Sequence, residues 1–135
     1  MLKDNRRLKA FTLQELLVVL TIIGILVLLA VPVFNGIFGT AYETEAKLQL
    51  RHIYELENTY QKLNFSYSDD FGEIRFEAPP TRHEGGTAYY AYEIVSADRN
   101  GFLARAEAIE DFDGDGVKSI LEVDKSGKVR IVTPD

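Results

Sequence analysis

The chain has no cysteine, so neither a disulfide framework nor a thiolate nucleophile or ligand is open to it. Histidine is nearly absent too. His52 falls in a helical stretch and His83 in a loop-like one, without the spacing of a metal site. No serine sits in a nucleophile elbow and no glycine-rich phosphate loop occurs, so the residues give no basis for an enzyme. Beyond the first ten positions acidic residues outnumber basic ones. Met1–Ala10 carries Lys3, Arg6, Arg7 and Lys9 against Asp4, a net +3, and since the whole chain is at −6 the rest stands at −9. No basic patch remains to meet phosphates, which excludes nucleic acid as a partner.

What the sequence has is one long apolar run. Phe11–Phe38 reads FTLQELLVVLTIIGILVLLAVPVFNGIF, and between Leu16 and Phe34 the only polar side chain is Thr21. At about 1.5 Å per residue, Phe11–Ala30 spans roughly 30 Å as a helix, the thickness of a bilayer core. In lipid such a span has to be helical, because unpaired backbone groups there cost several kcal/mol each. A basic flank before the span and an acidic domain after it predict a single-pass protein, its short N-terminus in the cytoplasm and its C-terminal domain outside. An exported domain without disulfides is then held by packing or by a bound ion.

A cleaved secretory signal would need a small-x-small site after the apolar core, and the candidate at Ala30 has Leu28 two residues before it. A plain anchor would explain the hydrophobicity and the charge bias. It does not explain Glu15, since an acid at the opening of an apolar span costs about 2.5–3.5 kcal/mol towards the helix centre. That carboxylate points to a partner.

The residues KAFTLQE, Lys9–Glu15, followed by an apolar helix containing Pro32, resemble the processing region of type IV pilins and type II secretion pseudopilins. The resemblance implies a leader, residues 1–10, removed by a prepilin peptidase between Ala10 and Phe11, with methylation of the new N-terminus at Phe11. Glu15 matches the family's acid at the fifth mature position and Pro32 its helix-interrupting proline. Where the family usually has glycine before the cut, this chain has Ala10, which is small enough to be tolerated. The implied function is a structural subunit of a type IV-type filament in the bacterial inner membrane. Its implied partners are further copies of itself, other pilin-like subunits and an inner-membrane assembly platform. Glu15 can pair with a neighbour's terminal ammonium, and a buried charge left unpaired penalises misregister. A different class of function, a membrane-tethered calcium-dependent binding domain that never polymerises, would use neither the junction nor Glu15.

Past the apolar helix (residues 11–39), Pro32, Gly36 and Gly39 predict a kink or a locally melted segment between Val31 and Thr40. In the head domain, residues 40–135, a helix over 41–64 carries the stripe Ala46, Leu50, Ile53, Leu56, Tyr60 and Leu63. Residues 65–87 read as a loop, with one short strand at Phe71–Phe76. The period then becomes two, and Thr87–Ser96, Phe102–Ile109, Val117–Val123 and Lys128–Thr133 read as four strands joined by short turns. Phe102, Ala104, Ala106 and Ala108 share one face, whose small side chains suit a closely packed helix. The predicted fold is α+β and pilin-like: a long N-terminal helix, its transmembrane half kinked near Pro32, packed on a four-stranded antiparallel sheet.

Asp111, Asp113 and Asp115, with Gly116, Ser119 and Glu122 behind them, match the oxygen-ligand spacing of a calcium loop. Crowded carboxylates around a glycine turn favour a hard cation, so Ca²⁺ is the expected ligand, with Asp111, Asp113, Asp115 and Glu122 as candidate donors. The flanking strands are foreign to a helix–loop–helix hand, and the same residues also read as a solvated hairpin loop.

Overall fold

The computed structural model describes residues 10–134, side chains of 31–38 excepted, so positions 1–9 of the expected leader lie outside the described residues. The chain divides into two units, one reaching Phe34 and one beginning at Asn35. Helix α1, Leu13–Asn64, contributes residues to both.

In the first unit, Leu13–Ala30 has a mean hydropathy of 2.6, and none of it is buried within the chain. Thr21 Oγ1 donates to the Leu17 carbonyl at 2.8 Å, so the run's one hydroxyl is satisfied inside the helix. This stretch is long and apolar enough to cross a bilayer, which fits a membrane-anchored, single-pass protein.

The second unit is a helix on a meander. Strands β1 (Tyr90–Ala97), β2 (Phe102–Ala108), β3 (Ile120–Asp124) and β4 (Val129–Thr133) pair antiparallel in chain order. Phe102, Ala104, Ala106 and Ala108 of β2 are all buried, in one cluster with Ala46, Leu50 and Ile53 of α1 and Leu121 and Val123 of β3. The fold is thus the α+β arrangement that the alternation predicts. On the opposite face of the sheet, Glu93, Arg105, Glu122 and Arg130 stand opposite one another across all four strands. Arg105 bonds Glu122 at 2.7 Å and lies 3.5 Å from Glu93. A one-residue slip of any strand would turn its charge into the core, so this row opposes misregister.

Four expectations are corrected. Phe71–Phe76 is not a strand: Phe71–Ile74 forms a short helix, α2, whose N-cap Asp70 accepts the Gly72 N–H at 2.7 Å. One turn, closed by Arg75 in the left-handed region, buries both Ile74 and Phe76. Of the kink or melted segment expected between 31 and 40, the melted alternative is corrected: α1 stays helical throughout, as cooperative extension from long helix on both sides allows. The stripe also ends early. Leu56 and Tyr60 are only partly buried, Leu63 is 75% exposed, and the fourth buried position is Glu57, which continues the 46, 50, 53 spacing. Finally β3 starts at Ile120 rather than Val117, because the Val117 N–H is taken by the Asp115 carboxylate at 2.7 Å and belongs to the loop.

Between α2 and β1 a single bridge joins Thr81 to Ala88 around a turn at Arg82–Glu84. Gly86 closes it, donating its N–H to the Thr81 carbonyl at 2.9 Å beneath Pro80.

Glu57 is fully buried; Oε2 accepts the Ser68 N–H at 3.1 Å, and Oε1 has no hydrogen-bond partner among the described residues. Burial raises its pKa above the ordinary 4.5, the Ser68 bond opposes that, and nearby Asp69 and Glu73 add to it. The folded state therefore holds a proton that the unfolded chain releases, and stability falls as pH rises from about 4.5 through the raised value. Glu57→Gln should flatten this part of the melting-temperature profile and melt no lower than wild type at pH 8. A profile identical to wild type would overturn this account.

Candidate functional site

Ala10 and Phe11 precede the helix, are not helical, and are exposed, Phe11 to 86%. Thr12 and Glu15 then fasten the start of α1 to each other. The Glu15 N–H donates to Thr12 Oγ1 at 3.2 Å, while the Thr12 N–H and hydroxyl donate to Glu15 Oε2 at 2.9 and 3.2 Å. This reciprocal pattern is a capping box, in which the first orphan N–H groups of a helix are satisfied by its own side chains. Glu15 lines an open cleft of about 460 Å³ with Phe11, Thr12, Gln14, Val18 and Val19. The sequence reading singles out Glu15 and passes over Thr12, although Thr-x-x-Glu before an apolar run is itself a helix-start signature. Pro32 lies within α1, its side chain outside the described residues.

At the other candidate site, carboxylate oxygens of Asp111, Asp113 and Asp115 come within 4.8 Å of one another. Gly114 and Gly116 turn the chain with φ of 83° and 90°, values that side chains rarely adopt. Asp111 accepts N–H bonds from Gly116 and Gly114, both at 2.7 Å, and these hold its carboxyl below the ordinary aspartate range. Glu122 is not brought to this group. It sits in β3 with its carboxylate held by Arg105, because the loop gives way to strand before the twelfth position. Ser119 is buried, its hydroxyl without a hydrogen-bond partner among the described residues. Phe112, between the first two aspartates, anchors the loop: its ring centre is 5.3 Å from Tyr42 of α1 and 5.7 Å from Tyr89.

Comparison with known proteins adds two findings. Residues 5–31 match the prokaryotic N-terminal methylation motif, a stretch that includes Ala10, Phe11 and Glu15. The chain is also 38% identical over 93 residues to the type IV major pilin protein PilA of Myxococcus xanthus (strain DK1622). That alignment covers 69% of this chain and 40% of the relative, so the chain spans about two-fifths of the protein it matches. The methylation motif, the 38% identity to part of a major pilin and the long helix followed by a four-stranded antiparallel meander together make this chain type IV pilin-like.

Proposed function

We propose that the chain is a subunit of a type IV-type filament, cut by a prepilin peptidase between Ala10 and Phe11, methylated at Phe11 and polymerised through its apolar helix. One observation carries this reading: an eighteen-residue helical stretch, Leu13–Ala30, is apolar enough to cross a bilayer and has no burial within its own chain, yet holds a carboxylate near its start. Lipid suits the first feature and gives no use for the second. Packing against parallel copies uses both, with Glu15 facing a neighbour's terminal ammonium. Before assembly the chain sits in the inner membrane with its head outside the cytoplasm. The relative's name supports a pilus subunit over a secretion pseudopilin.

The mature N-terminus is the first test. Mass spectrometry of the membrane-derived protein should find a chain beginning at methylated Phe11, about ten residues shorter than its gene. An intact Met1, or a start near Val31, would overturn the reading.

The acidic loop is proposed to take Ca²⁺ between Asp111, Asp113 and Asp115, without Glu122. An ion bound to the folded state alone stabilises it by mass action. Millimolar Ca²⁺ should therefore raise the melting temperature of the head, and Asp113→Ala should abolish the rise. An unchanged melting temperature would leave the loop a solvated hairpin.

A further inference from the structure

We propose that Thr12 is a positioning residue for filament growth: it holds the Glu15 carboxylate at the helix start so that a neighbouring copy's terminal ammonium meets it in one orientation. This rests on the filament reading above. A glutamate on an exposed helix start ordinarily samples several rotamers, and an ion pair formed from such a side chain has to order it first. Here two donors from one residue, the Thr12 N–H and hydroxyl, already fix Oε2 at 2.9 and 3.2 Å. Oε1 accepts no hydrogen bond from any described residue. The carboxylate is thus half satisfied and half available, beside a cleft of about 460 Å³ whose other walls are Phe11, Gln14, Val18 and Val19. That cleft has the chemistry a second copy's N-terminus needs: apolar surface for the Phe11 ring and one fixed anionic oxygen for its ammonium.

The hydroxyl has two jobs that substitution can separate. As a cap it accepts the Glu15 N–H; as a positioner it donates to the Glu15 carboxylate. Valine keeps the shape and loses both. Serine keeps both. Aspartate keeps the accepting role of a good N-cap but has no proton to give and repels the carboxylate. The test introduces Thr12→Val, Thr12→Ser and Thr12→Asp, with Glu15→Ala alongside, into the full chain expressed with its own assembly system. Sheared filament yield is measured against membrane level and the mass of the mature N-terminus.

At normal membrane level and with Phe11 as first residue, Thr12→Val should lower filament yield about tenfold, Thr12→Ser should restore it, and Thr12→Asp should not. Restoration by aspartate as well as serine would reduce Thr12 to a helix cap and overturn the proposal. Wild-type yield from Thr12→Val, with none from Glu15→Ala, would overturn it while sparing the role of Glu15. Wild-type yield from both would sink the Glu15 pairing on which it rests.

Discussion

Replacing Glu15 by alanine is expected to leave membrane level and processing normal while nearly eliminating filaments. Insertion should not suffer, since the substitution removes the one charge at the opening of the apolar run. The capping box loses its reciprocal carboxylate but keeps the Thr12 cap, and alanine's helix propensity returns part of the loss. In the proposed filament the loss is larger. Each added subunit would leave a terminal ammonium unpaired in a packed apolar environment, where truncating one partner costs roughly 3–5 kcal/mol. That penalty recurs at every addition, so a defect tolerable in a dimer is prohibitive in a polymer. Electron microscopy of sheared material checks it. Filaments of wild-type length from Glu15→Ala would show that the carboxylate does not set register.

The largest effect on the head itself is expected at Gly86. A Cβ there would lie 2.0 Å from the Pro80 carbonyl oxygen and 2.6 Å from its carbon, both backbone atoms that no rotamer change can move. Shifting Gly86 instead would strain its 2.9 Å bond to the Thr81 carbonyl and the bridge that closes the loop before β1. Gly86→Ala should cost about 3 kcal/mol, the upper end for forced overpacking. For a domain of this size that lowers the melting temperature by about 12–25 °C. The neighbouring Gly85 is a fitting control: its φ is 84°, but a Cβ there meets nothing within 4 Å. Gly85→Ala should therefore show backbone strain alone, about 1–2 kcal/mol. Equal shifts for the two variants, measured by circular dichroism in detergent, would refute the steric argument.

Much of this molecule can be read from its residues because each part declares its period. The apolar run from Leu16 leaves no alternative to a helix, and the alternation after Gly86, punctuated by glycine turns, gives the meander in its order. Where reading fails, a polar or ambiguous residue sits at a position decided by packing. Glu57 falls on the buried side of α1, but an acid there breaks the apolar pattern, and Leu56 takes its place in a reading by composition. Phe71–Phe76 has apolar residues close enough in sequence to pass for a strand, and only the cap at Asp70 makes them a turn of helix. The three loop aspartates are legible from spacing alone. Glu122 is not, since its position in that spacing says nothing of Arg105 on the neighbouring strand. Thr12 was open to reading through its three-residue offset from Glu15, but the cost of the acid draws attention away from its neighbour.

The unburied stretch Leu13–Ala30 fixes the states in which this protein can exist. Its apolar surface has two favourable surroundings, acyl chains and like helices, and bulk water is neither. A subunit leaving a polymer through this helix would therefore return to the bilayer rather than dissolve. The exchange becomes a partition between two apolar phases, and its balance turns on small differences: shape fit, tilt, and whether one carboxylate finds its counter-charge. Burying the helix contributes to both phases alike and largely cancels. In the proposed filament, adding or releasing a subunit would then take modest work, although the apolar stretch of each is poorly suited to bulk water.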